Sequence, residues 1–283
     1  MSLLLAYGWQ GIIFAVWVAL CVGSFLNVVI YRLPVMLERT WRNQAREILE
    51  IENTETEPPF NLSVPRSRCP QCQHQIRWFE NIPVISWAVL RAKCSQCGNH
   101  ISARYPAIEL LTTLLTLSVL ATFGFTWLGL FATIFSWFLV SLTFIDYDTK
   151  LLPDQLTYPL LWLGLIVNFD NSIVPLGDAV IGAVAGYLFL WTTFWAFKLI
   201  TGKDGMGYGD FKLLAALGAW MGWQSLPSII LVSACVGLLY AVIQMALQNS
   251  SRHDTIPFGP FLAAAGWVTL MFRDTVLGMF LLA

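Results

Sequence analysis

The chain has 283 residues, of which 57% are hydrophobic and only 12% charged, and its net charge is −1. A soluble domain carries about 25% charged residues, so this composition excludes an ordinary water-solvated globule. The near balance of charge gives no global basic field, and with it no composition-level case for a nucleic-acid partner.

Uncharged runs, measured against the roughly 20 helical residues that cross a bilayer core of about 30 Å, mark the elements in chain order. Met1 to Tyr31 carries no charge, and Trp9 to Tyr31 is long enough to span once. It lacks a basic leading segment, so it reads as an uncleaved helix rather than a signal peptide. Leu37 to Pro58 then mixes basic and acidic residues, which reads as a solvated amphipathic helix with an acidic linker, Glu50 to Glu57, behind it. Leu110 to Ile145 is uncharged for about 54 Å if it is one helix, too long for one crossing, and suits two helices turning near Gly124. Gln155 to Phe169 is a short span and Ala179 to Phe197 a clear one. Leu213 to Ser251 folds as two helices broken at Trp223 to Pro227, and Thr255 to Phe272 closes the series.

These runs predict an all-α polytopic membrane protein of about eight transmembrane helices, with a small cytoplasmic zinc-binding module between helices 1 and 2. Its expected parts are a first helix at residues 1–31, a cytoplasmic region at 32–105 with the module at about 62–105, and a seven-helix membrane domain at 106–283. Orientation follows from Lys and Arg, which concentrate in cytoplasmic loops. Ten of the 16 lie between Arg32 and Arg104, and Lys150, Lys198, Lys203, Lys212 and Arg252 fall at the other joints that eight alternating helices place on that side.

Four of the six cysteines form Cys69-Pro-Gln-Cys72 and, 21 residues on, Cys94-Ser-Gln-Cys97. Paired knuckles at this spacing offer four sulfurs to one tetrahedral ion, and thiolates favour zinc. Two disulfides would use the same residues, but the segment is assigned to the reducing cytoplasm. Four thiolates close the coordination sphere, so such a zinc is structural. His74 and His100, just beyond the knuckles, read as bystanders, and Cys21 and Cys235, inside apolar spans, as small core residues.

Carboxylates beside apolar helices are costly and point to function. Asp146, Asp148 and Asp154 occupy one joint; Asp210 follows Gly205-Met-Gly-Tyr-Gly209 in another. By the helix count Asp146 ends the third helix and Asp210 opens the sixth, at the same membrane face. Two carboxylates that meet there resist double ionisation, so one keeps a proton while the other acts as base toward water. A helix cap or a lysine pair is the alternative role for any one of them. Asp148 lies about 200° around a helix from Asp146, and Asp154 after Pro153 suits the start of the next helix. The glycines at 205, 207 and 209 suggest a permissive backbone open to an extended substrate.

Together, Gly23-Ser-Phe-Leu-Asn-Val-Val-Ile-Tyr-Arg-Leu-Pro34, the four-cysteine module, Asp146 to Asp154, Gly207-Tyr-Gly-Asp210 and Pro257-Phe-Gly-Pro260 resemble the type IV prepilin peptidases over nearly the whole chain. These are bifunctional leader peptidases and N-methyltransferases of the bacterial inner membrane with a Gly-x-Gly-Asp aspartyl protease centre. The resemblance implies that Asp146 and Asp210 are catalytic and that the substrates are prepilins and pseudopilins, cut after the glycine that closes a short basic leader on the cytoplasmic side. It further implies methylation of the new N-terminal residue from S-adenosylmethionine, without assigning residues to that cofactor. The small residues Gly182, Ala183, Ala185 and Gly186 suit helix packing first and a substrate stem second, and the acidic run at 50–57 suits a basic leader. The rival reading from another class is a membrane transporter or zinc-responsive channel in which Asp146 and Asp210 relay protons or cations.

Overall fold

Helix boundaries fall where the uncharged runs meet glycine. The computed structural model describes residues 3–51, 58–203, 205–247 and 256–281, and among them the regular elements are helical, with no named strand. The chain divides into two compact units, Met1–Gly124 and Phe125–Ala283.

The first unit holds α1 (Leu3–Ile48), the short α2 (Ile85–Val89) and α3 (Arg104–Phe123). Gly8, at φ 66°, interrupts the opening turns of α1, but from there to Ile48 the membrane run and the amphipathic stretch form one helix of 41 residues. At 1.5 Å per residue that is about 60 Å, twice the bilayer core. Beyond Tyr31 it is laced by an Arg42–Glu38 pair at 2.6 Å, one helical turn apart. The linker residues Glu52 to Glu57 lie outside the described residues.

The segment Gly23 to Pro34 is a packing surface. A Cβ on Gly23 would sit 2.7 Å from the Cα of Glu109, so α1 and α3 touch backbone to backbone there. Asn27 Nδ2 donates to the Tyr105 carbonyl at 3.1 Å. Arg32, buried, donates to the carbonyls of Asn61 at 2.8 Å and Pro65 at 2.6 Å, pinning the loop that leads to the cysteines. Glu109, buried inside α3, accepts the Val84 N–H at 2.7 Å and so holds the start of α2 against that helix. These contacts group α3 with the N-terminal unit.

The second unit comprises α4 (Trp127–Thr149), α5 (Asp154–Val167), α6 (Leu176–Thr201), α7 (Tyr208–Met221), α8 (Leu226–Ala246), α9 (Gly259–Met271) and α10 (Arg273–Leu281). Two expected breaks are glycine stops: Gly124 at φ 68° ends α3, and Gly222 at φ 77° separates α7 from α8. Eleven of the 14 residues of α7 are buried, so this helix is apolar on every side because it is surrounded on every side. Its neighbours approach through glycine. A Cβ on Gly182 of α6 would meet the Gly218 carbonyl at 2.4 Å, one on Gly186 the Leu214 carbonyl at 2.7 Å, and one on Gly266 of α9 the Leu217 side chain at 2.5 Å. Gly182 and Gly186 therefore pack α6 on α7, the first of the two roles expected for that stripe.

Polar groups close the outer end of α7. Asn168 Nδ2 donates to the carbonyls of Ala219 and Trp220, and its Oδ1 accepts the N–H groups of Ile173 and Val174. Trp220 Nε1 donates to the Leu160 carbonyl at 2.8 Å.

Among the described residues five helices are long and apolar enough to cross a membrane: α1, α3, α4, α6 and α8. The others of the expected eight, α5, α7 and α9, have 14, 14 and 13 residues. At about 20 Å each they are shorter than the bilayer core. The sequence expectation fails at Cys21 and Cys235, which are exposed on the helix surfaces rather than packed in the core. A thiol is apolar enough to face lipid tails.

Asn168→Ala strips four hydrogen bonds from a fully buried position, two donated and two accepted. It is expected to lower unfolding free energy in detergent by about 2–4 kcal/mol. Gly182→Val, which forces α6 off the α7 backbone, is expected to lower the melting temperature further still, whereas Ser172→Ala in the exposed adjoining turn leaves it nearly unchanged. Thermal unfolding of the three variants checks the order.

Candidate active site

Four helix ends supply the residues that the sequence singled out. Asp146 lies one turn before the end of α4, where Lys150 adopts left-handed geometry (φ 55°) and its N–H closes on the Asp146 carbonyl. Asp210 is the third residue of α7, entered from Gly207 in extended conformation. Both side chains are buried.

The contacts around them explain the placement. Asp146 Oδ2 accepts the Gly259 N–H at 2.9 Å. That N–H begins α9 and has no partner within its own helix. Gly259 has to be glycine here, since a Cβ would stand 2.6 Å from the same oxygen. Leu152, in the α4–α5 joint, packs against the starts of α7 and α9: a Cβ on Gly209 would meet its Cβ at 2.7 Å, and one on Gly259 its Cδ2 at 3.2 Å. Lys212, two residues past Asp210, donates to Asp154 Oδ1 at 2.6 Å and lies 5.2 Å above the Tyr158 ring, tying α7 to the start of α5.

The structure thus brings Asp146 and Asp210 to one end of the bundle and leaves Asp148 exposed on the other face of α4. Asp154 is the first residue of α5 and pairs with Lys212. The permissive backbone expected at Gly205, Gly207 and Gly209 is not used, because none of the three has positive φ. Their smallness is used instead, by Leu152 against Gly209 and by the Phe197 ring 2.8 Å from where a Gly205 Cβ would stand. Sequence reasoning missed Leu152, Lys212 and the Gly259 N–H; Pro257-Phe-Gly-Pro260, a glycine flanked by prolines at a helix start, was the available signal. A buried carboxyl pair at a membrane face, one member fixed by a backbone donor, can share a proton and polarise a water between them.

The second cluster lies in the N-terminal unit. Cys69, Cys72, Cys94 and Cys97 present sulfurs that all lie within 4.8 Å of one another, with Cys69–Cys97 at 3.8 Å and Cys72–Cys94 at 4.0 Å. A tetrahedron of sulfurs about 2.3 Å from a central ion has edges of about 3.8 Å, so the four fit one metal ion. The two knuckles repeat one geometry. Gln73 N–H bonds back to the Cys69 carbonyl and Gly98 N–H to that of Cys94, while Cys69 and Cys94 N–H groups reach the carbonyls of His74 and Asn99. Backbone N–H groups of Cys72 and Gln71 aim at the Cys69 sulfur and hold its thiol down at about 6; those of Cys97 and Gln96 lower Cys94 likewise. Glu80 joins the knuckles, accepting from Ser95 of one at 2.5 Å and facing His74 of the other at 3.3 Å. Those bonds and the Arg77 N–H hold the Glu80 carboxyl below the usual carboxylate range, the Ser95 hydroxyl foremost. His74 is thus engaged by Glu80, and neither it nor His100 belongs to the sulfur cluster.

Comparison with known proteins covers both units. Residues 17–123 match the bacterial peptidase A24 N-terminal domain and residues 133–242 the type IV leader peptidase family. A prepilin leader peptidase/N-methyltransferase of Aeromonas hydrophila is 56% identical over 259 residues, 91% of this chain and 89% of that protein. Proteins of the same description from Stutzerimonas stutzeri and Neisseria gonorrhoeae are 53% and 51% identical, covering 93% and 91% of this chain and 91% and 89% of their own lengths. No solved structure matches the chain. With both units matched and more than half of the residues shared with such relatives, the chain belongs to the type IV leader peptidase family.

Proposed function

We infer that this protein is an integral membrane enzyme that removes the leader peptide of prepilins and methylates the amino group so exposed. The observation that carries the reading is 56% identity, over 91% of the chain, to a prepilin leader peptidase/N-methyltransferase. The rival reading as a proton or cation relay finds no counterpart among the relatives, whose shared description names both enzymatic activities.

The finer assignments are ours. Asp146 and Asp210 are the catalytic pair; their burial at neighbouring helix ends and the Gly259 N–H on Asp146 support this. One carboxylate takes a proton from water as its oxygen attacks the carbonyl carbon closing the leader. The other, protonated, gives its proton to the amine as the C–N bond breaks. Substrates include pseudopilins as well as prepilins, since the chemistry reads a basic leader followed by an apolar helix. α5, α7 and α9 join the five long helices to complete eight crossings, α7 as the shielded centre of the second unit. The region at 32–105 and the aspartates then face the cytoplasm, and the membrane is the bacterial inner membrane.

The four cysteines hold one zinc ion, for which their spacing and thiolate-stabilising N–H groups are suited. Bound zinc would fix the two knuckles as one module and leave no open position for chemistry. S-adenosylmethionine is the methyl donor for the second reaction, in which the free amine takes the methyl group as the sulfur–methyl bond breaks, leaving S-adenosylhomocysteine and a proton.

Purified enzyme with a synthetic prepilin tests the peptidase. Asp146→Asn and Asp210→Asn are each expected to abolish cleavage while methylation of a pre-cleaved substrate persists, and Asp148→Asn to cleave normally; cleavage by either of the first two removes that residue from the pair. Gly259→Ala, which pushes the Asp146 carboxylate aside, is expected to slow turnover by about 100-fold without loss of folding, as a displacement of about 1 Å costs. Metal analysis of intact protein should give about one zinc ion per chain and none in Cys72→Ser; equal content in the two ends the ligand assignment.

A further inference from the structure

The N-terminal unit contains a cavity that neither the peptidase pair nor the sulfur cluster uses. It has a volume of about 300 Å³ and is lined by Val28, Arg32, Arg66, Arg77, Trp78 and Asn81, among others. Three arginines face it and no carboxylate does. Arg32 is committed to the Asn61 and Pro65 carbonyls. Arg66 and Arg77 are exposed, and Arg77 stacks 5.8 Å from the Phe79 ring. Among the described residues neither of these two guanidinium groups is held by an ion pair.

The position of Val28 and Arg32 on α1 and two hydrogen bonds fix the depth of this cavity. Val28 and Arg32 lie one turn apart on α1, and Arg32 is the first charged residue after the uncharged run that Trp9 opens and Tyr31 closes, two exposed aromatic residues about 33 Å apart along the helix. Asn27 is bonded to Tyr105, at the start of the second long apolar helix. Val84 is bonded to Glu109, one turn further into that helix. The stretch from Trp78 to Val89 is therefore held level with the ends of two membrane helices, where the headgroup region lies.

That stretch is built for such a surface. Trp78 is 82% exposed and Val89 74%, with Ile82 and Ile85 also exposed beside them. Charge complements the apolar residues: from 58 to 104 there are six Lys or Arg and one acidic residue, and that one, Glu80, is engaged by Ser95, His74 and Arg77 N–H. Apolar side chains that enter the boundary, an indole beside them and a basic hollow roomy enough for a phosphate headgroup together match an anionic phospholipid. A free protein surface with this much exposed apolar area would need another cover.

We propose that the cavity formed by Arg32, Arg66, Arg77 and Trp78 binds the phosphate headgroup of an anionic phospholipid, and that Trp78 to Val89 lies on the bilayer surface and anchors the cysteine module there. The inference rests on the membrane character of α1 and α3 and not on the assignment of the catalytic pair.

The full-length protein in nanodiscs tests it, by hydrogen exchange of residues 76–91 and by native mass spectrometry of retained lipid. In an equal mixture of phosphatidylglycerol and phosphatidylcholine, exchange of 76–91 should slow relative to phosphatidylcholine alone, and phosphatidylglycerol should be retained preferentially. Arg66→Gln with Arg77→Gln should lower that preference by about fivefold per arginine removed, and Trp78→Ser with Val89→Ser should restore fast exchange. Unchanged zinc content certifies that each variant keeps its module folded; where a variant loses zinc, the wild-type comparison between lipids decides alone. Equal exchange in the two lipid compositions overturns the proposal. So does equal slowing on adding inorganic phosphate to phosphatidylcholine discs, which would make the cavity a site for soluble anions.

Discussion

A buried carboxylate answering an unpaired backbone N–H organises the second unit. In a low-dielectric bundle, the first N–H groups of a helix and an ionisable side chain are each expensive when left alone. Asp146 Oδ2 and the N–H of Gly259 remove part of both costs at once, at 2.9 Å and across 113 positions of sequence. The positive end of α9 adds a fixed partial charge beside the carboxylate. Leu152 then fills the remaining space between α4, α7 and α9, and its fit needs hydrogen rather than a side chain at Gly209 and at Gly259. Glycine at 209 and at 259 is what lets these helix ends come this close.

The same economy recurs in each unit. Gly23 against Glu109 and Gly182 against Gly218 bring backbones into direct contact, where dispersion and polar links replace the missing hydrophobic drive between helices in lipid. Side-chain amides serve as local fasteners: Asn27 bonds to Tyr105, and Asn168 joins the α5–α6 turn to the end of α7. α7 is enclosed by such contacts, which explains how a helix of 14 residues belongs to a membrane bundle. Its last carbonyls, those of Ala219 and Trp220, are satisfied by the Asn168 amide.

Much of this was legible in sequence because it rests on local signals. Uncharged length gave the long helices, and Gly124 and Gly222 marked their breaks, since positive φ is cheap only at glycine. The cysteine spacing foretold the sulfur cluster, as two short turns of the same kind impose the same sulfur placement. The placing of Asp146 in the last turn of one helix and Asp210 in the first turn of another followed from where the uncharged runs stop, which needs no contact information. Partners that depend on register across distant helices stayed hidden: Leu152, Lys212 with Asp154, and the Gly259 N–H have no local pattern. Cys21 and Cys235 were misplaced because an apolar helix in a bilayer has no polar face to say which side points inward. Gly205 and Gly209, ahead of Asp210, serve clearance rather than freedom of φ.

The stretch matched to the type IV leader peptidase family stops at residue 242, yet the donor that meets Asp146 is at residue 259. The physical unit is thus longer than the recognisable one. A chain shortened after α8 would retain both aspartates and the whole stretch matched to that family model, while stranding a carboxylate in an apolar interior with its counterpart gone. The partner of the buried Asp146 carboxylate is in this sense a property of the C-terminal hairpin α8–α9, out of reach of a fragment cut to the matched stretch.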